Sequence, residues 1–411
     1  MRHGEENVIR QSNHTLASRS RRSFLRDLGS AAAFLLAGDA ALARPLLLIL
    51  ANGPSKIAAL EWVVYATGRH RPDGQPEHRC AVRITCEDGA QGWADLADSV
   101  TPDRDTASLI RDALLARNPS EHSVIWRQLH DYDVSPAVLA GVDVALWDLL
   151  GRTEGKPVHA LVGTRRQDVK ACVSTGFDLA GPEEYAAAAA ACKEKGLHGC
   201  KVQLRTGSPD RDIAVYKAVR EAVGPDFPSM ADSSSSYTYD QALRVGLLLD
   251  ELAYKWWESP MPEGNEWRDR YTSLAAQVRT PICAPRTDPD SHLARVPWIT
   301  AKACDVGAMD VLRGGFTACL EFAGSCEAAG IPLQLSNIGP DSYPHLQLIA
   351  ATSEPLIEYF EVSSPARESP TLPGRLTPEP TFDEQGRVPI PQTPGMALDL
   401  DWKYIFTHRV A

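Results

Sequence analysis

Residues 229–258 read SMADSSSSYTYDQALRVGLLLDELAYKWWE, and this stretch decides the fold. A short apolar run ends on Asp232, a polar turn follows, residues 239–252 carry apolar side chains at helical spacing, and a second apolar run ends on Glu258. That is one strand–helix unit followed by the next strand. The unit recurs on both sides. Strands are predicted to end near Thr175, Gln203, Asp232, Glu258, Arg286, Asp310, Ser336 and Glu361, with helical stretches such as 183–195, 211–223 and 316–329 between them. From Gln203 onward successive strand ends lie 24 to 29 residues apart, close to one βα unit each. Eight units in a row predict a parallel sheet closed into a barrel.

Upstream the pattern is extended from about 56 to 98. Ile57 to Tyr65 and Ala81 to Cys86 read as strands separated by a polar loop from Thr67 to Glu77, and Glu87-Asp88-Gly89 predicts a tight hairpin into Gln91-Gly92-Trp93-Ala94. Helical spacing takes over from about 105. Three amphipathic stretches follow, the last from Pro136 to Gly151 with Val138, Leu139, Val142, Val144, Ala145, Leu146 and Leu149 as its apolar set. A small α+β domain therefore precedes the barrel. The tail from Pro365, rich in Pro and Gly, is expected to fold back on that domain.

Residues 1–43 read as an export signal. A polar, basic start leads to a short apolar core from Leu28 to Gly38 and then to Ala41-Leu42-Ala43, the small-x-small form of a cleavage site. Ser20-Arg21-Arg22-Ser23-Phe24-Leu25 resembles the twin-arginine consensus, and the apolar core is well short of the roughly 20 residues a spanning helix needs. The expected organisation is thus a signal at 1–43, a capping domain at 44–167, a barrel at 168–365 and a return at 366–411, with the mature protein periplasmic or secreted.

The 411 residues are 44% hydrophobic and 23% charged, which excludes a disordered, collagenous or coiled-coil protein. The formal charge is −11, and loss of residues 1–43 removes six Arg and four acids to leave −13. No basic surplus serves a phosphate backbone, so nucleic acid is excluded as a partner. Nine cysteines without a C-x-x-C pair signal neither a zinc nor a thioredoxin-type site, and buried free thiols are expected.

The strand ends carry the chemistry. Lys201 follows Gly199-Cys200, Asp232 follows Met230-Ala231, Glu258 follows Trp256-Trp257, and Asp310 follows Ala308-Met309. A charge directly after a buried apolar run is costly unless it meets water, a partner or a metal, and barrel enzymes place their chemistry at the carboxyl ends of the strands. For any one residue a solvated strand cap is an equal reading; several in consecutive units argue for a site. Asp232 and Glu258, on neighbouring strands, could share a hard cation such as Mg²⁺. A lysine close by suits abstraction of a proton α to a carboxylate, or stabilisation of the resulting enediolate.

With these residues in view the chain resembles the enolase superfamily, in its mandelate racemase and muconate lactonizing branch, over nearly the whole mature length. Cys86-Glu87-Asp88-Gly89-Ala90-Gln91-Gly92-Trp93 is similar to the family hairpin. Ala145-Leu146-Trp147-Asp148-Leu149-Leu150-Gly151, with Gly155-Lys156-Pro157 and Leu161-Val162-Gly163, is similar to the link into the barrel, and Pro391-Gln392-Thr393-Pro394-Gly395 with Leu398-Asp399 to the carboxyl-terminal return. The resemblance implies an α/β fold: an N-terminal α+β capping domain on a (β/α)7β modified TIM barrel. It also implies Mg²⁺ as cofactor, and a Lys or His base in that superfamily's use.

Carried over residue by residue, the resemblance makes Lys201 the first lysine of a Lys-x-Lys pair whose second, usually the base, is Gln203. Asp232 and Glu258 match the first two metal-binding carboxylates, while Arg286 stands where the third belongs; Asp288 and Asp290 follow in the next loop, out of register. Asp310 matches an aspartate that orients a catalytic histidine, but Ser336, followed by Asn337, occupies the histidine's position. Glu358 or Glu361 would supply an acid for the substrate carboxylate. A guanidinium in place of a ligand changes the local charge by two units, so Arg286 could itself pair with Asp232 and Glu258, or hold a carboxylate bidentately.

The expected activity is that of a divergent lyase or isomerase, similar to an acid-sugar dehydratase or racemase, acting by α-proton chemistry on a small hydroxy-carboxylate with Lys201 as acid/base or enolate stabiliser. Gln203, Arg286 and Ser336 motivate an alternative, a non-catalytic exported carboxylate-binding protein. A barrel of another chemistry would use Tyr237, His292 and His345. Family members commonly assemble, so a homo-oligomer is a further expectation, and specificity is expected from the Thr67–Glu77 segment.

Overall fold

The computed structural model describes residues 55–71, 73–97, 101–176, 179–286, 292–336, 342–362 and 371–410. The export signal, Asp288, Asp290 and Asn337 lie outside the described residues. The chain begins with an antiparallel sheet of β1 (Ile57–His70), β2 (Pro76–Cys86) and β3 (Gln91–Ala97), in that order. The segment read as a loop from Thr67 to Glu77 is mostly strand, because the ladder continues through Ala66↔His78 and resumes at His70↔Pro76. Apart from buried Thr67, its described polar residues are exposed or half-buried. Thr67 Oγ1 adds donation to the Glu77 carbonyl and carboxylate at 3.2 and 2.8 Å. The hairpin at Glu87-Asp88-Gly89 closes as the sequence requires, with Gly89 at φ +86° and Asp88 Oδ1 accepting from the Ala90 amide at 3.0 Å.

Helices α1 (Arg104–Leu114), α2 (His122–Asp131), α3 (Pro136–Thr153) and α4 (Val158–Val162) complete the cap. The barrel then alternates β4 (Asp168–Ser174), α5 (Pro182–Glu194), β5 (Cys200–Gln203), α6 (Pro209–Val223), β6 (Ser229–Asp232), α7 (Tyr239–Glu251), β7 (Trp257–Glu258) and α8 (Arg268–Ala275). It continues through β8 (Ile282–Cys283), α9 (Val296–Thr300), β9 (Gly307–Met309), α10 (Gly315–Ala329), β10 (Leu333–Leu335), α11 (Tyr343–Ala350) and β11 (Tyr359–Val362). All ladders among these strands are parallel. They run β11-β4-β5-β6-β7-β8 and β9-β10, with a bridge from Cys283 to Val306 between the two sets. Eight strands and seven intervening helices give the (β/α)7β barrel.

The α3 helix departs from its expected amphipathic pattern. Every residue from Val138 to Gly151 is buried, so the helix is covered on all sides. On one side Gly92 of β3 sits so close that a Cβ there would lie 2.3 Å from the Leu149 nitrogen and 2.5 Å from the Ala145 oxygen. On another, Asp143 accepts from Thr317 of α10 through Oγ1 at 2.6 Å and the amide at 2.8 Å, and Trp147 Nε1 donates to the same Oγ1 at 2.9 Å. Polar residues spaced along α3 are thus buried links to the barrel and the tail.

The tail adds β12 (Arg387–Pro389), antiparallel to β4, and α12 (Trp402–Thr407). It reaches the cap through the Met396 amide on Asp148 at 2.8 Å, Trp93 Nε1 on the Leu398 carbonyl at 2.8 Å, and the Val410 amide on the Val64 carbonyl at 2.8 Å. All nine cysteines are free and buried. Among the described residues no helix is long and apolar enough to cross a membrane.

Candidate active site

Side chains alternate across a strand, so residues two apart share a face. An apolar layer inside the barrel joins Cys172, Met230, Trp256, Cys283, Val306, Ala308 and Tyr359. Two residues further along their strands stand Asp232, Glu258, Asp310 and Glu361, which places these acids on the interior face above that layer. The ladder sets Gln203 beside Asp232 and Asp232 beside Glu258. Lys201 precedes Gln203 by two on β5 and shares its face.

The structure brings Lys201, Asp232, Glu258, Arg286 and Glu361 into one buried cluster. Lys201 Nζ lies 2.7 Å from Glu258 Oε2 and 2.5 Å from Glu361 Oε1, with its side chain 1% exposed. Arg286 Nε approaches the other Glu258 oxygen, Oε1, at 3.3 Å. That contact is an ion pair without hydrogen-bond alignment, so buried Oε1 meets no hydrogen-bond donor among the described residues. Asp232 Oδ1 accepts from the Ser234 amide at 2.9 Å, while Oδ2 has a long contact of 3.4 Å from Gln203 Nε2. Arg286 is the open member, with 29% of its side chain exposed.

Burial opposes every charge in the cluster, and the signs decide which charges survive. Burial works against the Lys201 ammonium, but Glu258, Glu361 and Asp232 outweigh it and hold its pKa above the usual lysine value. Burial likewise opposes the Glu258 carboxylate, and Lys201 and Arg286 overcome it, so its pKa is lowered. For Asp232 and Glu361 burial wins, reinforced by repulsion from Glu258, and their carboxyls are pushed up. Lys201 is therefore a fixed ammonium between a firmly ionised Glu258 and a more readily protonated Glu361.

The choice between Glu358 and Glu361 is now decided by strand parity. Glu361 faces the interior with Tyr359, whereas Glu358, of the opposite parity, pairs with Lys170 and Lys255 at 3.0 and 2.7 Å near the starts of β4 and β7. Gln203 is in the cluster. Ser336 is buried, its amide bonded to the Met309 carbonyl at 2.9 Å, and its Oγ meets no partner among the described residues. Asp310 is not joined to the ionic cluster. Its Oδ1 accepts from the Leu312 amide at 2.8 Å and lies 3.0 Å from Nε2 of His345, a residue of α11. An aspartate–histidine contact therefore exists at the end of β9, supplied by a helix instead of a strand end.

His292 and Tyr237 hold hydrogen bonds outside the ionic cluster. Burial, with Arg295 beside it, pushes the His292 pKa down to about 3, and its Nε2 donates to the Asp310 carbonyl at 2.9 Å. The Tyr237 hydroxyl donates to Asp212, and burial holds the phenol far above its usual range.

Sequence reasoning missed two supporting residues. Gln334 Nε2 donates to Glu361 Oε1 at 2.7 Å and to the Leu335 carbonyl at 3.0 Å. Its position two residues before Ser336, on the same face, was the available signal. Arg295 donates to the Ala308 carbonyl at 2.6 Å and to the Arg286 carbonyl at 2.5 Å, which ties the loop bearing Arg286 to β9. Nothing in the local pattern around Arg295 marks it out.

The Mg²⁺ implied by the family resemblance does not fit the donors among the described residues. Such a cation needs several oxygen ligands. Here both oxygens of Glu258 already face cationic groups, and the third ligand position is a guanidinium. A doubly charged ion about 4 Å from Arg286 would be repelled by on the order of 8 kcal/mol at an effective dielectric constant near 20. Among the described residues no group of three His, Cys, Asp or Glu side chains could hold a metal ion.

Comparison with known proteins gives the fold its kin. The family described as Enolase C-terminal domain-like matches residues 184–404, and the Mandelate racemase / muconate lactonizing enzyme N-terminal domain matches residues 75–163. D-galactarolactone cycloisomerase of Agrobacterium fabrum is 26% identical over 348 residues, spanning 78% of this chain and 88% of that protein. Arabinonate dehydratase of Saccharolobus solfataricus is 27% identical, spanning 79% and 89%. The solved structure of D-glucarate dehydratase from Agrobacterium tumefaciens, complexed with magnesium, superposes with a TM-score of 0.80 at 26% identity, over 87% of this chain and 99% of that one. The chain is an enolase-superfamily enzyme, of the mandelate racemase and muconate lactonizing branch.

Proposed function

We propose that this enzyme is a lyase or isomerase acting by α-proton chemistry on a small hydroxy-carboxylate of the acid-sugar class. The observation that carries this reading is the Lys201 ammonium, held at the barrel mouth between Glu258 and Glu361 with the Arg286 guanidinium above it. Arg286, the open cation, receives the substrate carboxylate through its planar fork. Negative charge grows on that carboxylate as the α-proton leaves, and two fixed cations stabilise the enediolate more than the ground state. Lys201 keeps its proton and so serves as the electrostatic stabiliser of its two expected roles. The proton acceptor is Asp232, whose Oδ2 has only the long Gln203 contact to give up. Glu258 Oε1, without a donor of its own, accepts from a substrate hydroxyl. The acid-sugar class follows from relatives named as a galactarolactone cycloisomerase and an arabinonate dehydratase. The alternative of a non-catalytic carboxylate binder gains no support from these relatives.

A panel of aldonic and aldaric acids incubated in D2O and followed by proton NMR tests the reading. The expected result is loss of an α-proton signal or of water from at least one acid, abolished in Lys201→Met and Asp232→Asn. Exchange at the same rate in both variants as in the parent would refute the roles assigned.

A further inference from the structure

We infer that the mouth of this barrel works without a divalent cation, because Arg286 and Lys201 supply the positive charge that would otherwise come from one. The inference rests on the reading above for its chemistry, and it adds the contacts that fix Arg286 beside Glu258. Glu258 divides its two oxygens between the two cationic side chains, Oε2 to Lys201 at 2.7 Å and Oε1 to Arg286 at 3.3 Å. A hard cation at that carboxylate would meet fixed positive charge beside both oxygens. The backbone that carries the guanidinium is anchored: the Arg286 carbonyl accepts at 2.5 Å from Arg295, which is itself buried and also bonded to the Ala308 carbonyl. The position is therefore built into the strand-end framework of β8 and β9.

The exchange has a chemical consequence. A divalent ion binds a hydroxy-acid by displacing its own waters, whereas a guanidinium donates hydrogen bonds to both carboxylate oxygens and needs no partner ion. Hydroxy-acid binding should then be independent of metal and of chelator. It should also depend on the fork geometry of Arg286, which a lysine cannot reproduce. Glu258 and Glu361 become the counter-charges that hold Lys201 in place, and Glu258 also faces Arg286.

Two binding measurements on the whole chain test this without using turnover. Mn²⁺ titration followed by electron paramagnetic resonance, with Mg²⁺ as competitor, should show no saturable site that Asp232→Asn removes. Calorimetry with tartrate, a small hydroxy-dicarboxylate, should give the same affinity with and without EDTA. Affinity should fall at least about tenfold in Arg286→Lys and Arg286→Gln, the loss of one charged bidentate contact; melting curves check that both variants fold. A saturable Mn²⁺ site lost in Asp232→Asn, or tartrate binding abolished by EDTA, overturns the inference. The absence of any acid-sugar turnover would count against the proposed activity and leave these binding results to stand by themselves.

Discussion

Lys201→Met removes the ammonium while keeping an unbranched apolar stem, so it isolates the charge at the centre of the cluster. The side chain is 1% exposed and meets Glu258 and Glu361 at 2.7 and 2.5 Å. Removing one partner of a buried ion pair costs about 3–5 kcal/mol, because the charge left behind is uncompensated. The loss should not double for two pairs, since Arg286 still faces Glu258 and Gln334 still donates to Glu361. For a chain of about 400 residues the entropy of unfolding turns that range into a Tm decrease of roughly 4–6 °C. The deficit should depend on pH. In the parent, the lowered pKa of Glu258 contributes stability above its unfolded value that is lost as pH falls through the folded one. The variant lacks most of that contribution, so its deficit should be full above the ordinary glutamate value near 4.5 and shrink as pH falls below it, where Glu258 of the parent also takes up a proton. Differential scanning calorimetry across this range measures both effects. A decrease under about 1 °C, or one that does not change with pH, would refute the claim that Lys201 is the charge on which the cluster depends.

Other contacts give sharper local tests. Burial pushes the Asp143 carboxyl up to about 7 despite its bonds to Thr317, so its neutral form favours the folded state. That contribution is complete below the unfolded value near 3.8 and is lost as pH rises through about 7, on the order of 4 kcal/mol in all; Asp143→Asn should flatten the Tm difference between about pH 5 and pH 8, and an unchanged slope would count against it. Gly92→Ala forces a Cβ to 2.3 Å from the Leu149 nitrogen, against helix backbone that cannot yield, and should cost about 3 kcal/mol. Gly89→Ala meets open space and only the left-handed backbone, for about 1 kcal/mol; the reverse ranking in urea denaturation would be a failure. Glu358→Gln breaks partly exposed pairs and should cost less than about 1 kcal/mol, while Glu361→Gln, at a buried pair, should cost more.

The barrel was legible because a parallel sheet needs both faces covered. Each strand is then a short apolar run, and each connection must be long enough for a helix. The spacing of Gln203, Asp232 and Glu258 followed from that requirement, and so did their arrival at one mouth. The two-residue strand alternation carried more information than was taken from it. Tyr359 and Glu361 share the interior face with Trp256 and Glu258, and Glu358 does not. That pattern would have separated the two acids without coordinates, and would have drawn attention to Gln334 as the interior neighbour of Ser336. The boundary of the Thr67–Glu77 segment failed for the opposite reason: a hairpin end whose strand residues are mostly polar has the composition of a loop.

What the sequence could not show is how a missing ligand is replaced, because the replacement is made of distance and not of spacing. Arg286 reads as one substitution among three, yet its effect depends on Lys201 taking the other oxygen of Glu258 and on Arg295, nine residues on, fixing the Arg286 carbonyl. The Asp310 contact follows the same logic. Ser336 removes the imidazole from the strand end, and His345 brings one to Nε2–Oδ1 distance from a helix that no strand pattern would examine. Its ring nitrogen stands between the Val311 amide, a donor at 3.1 Å, and the Asp310 carboxylate, an acceptor at 3.0 Å. An Nδ1-protonated ring satisfies the first, and an Nε2-protonated or charged ring the second. Each carboxylate that lost its expected partner has thus acquired a substitute of the needed sign or donor capacity, which is what the cost of a buried unpaired charge demands of any barrel that keeps the carboxylates.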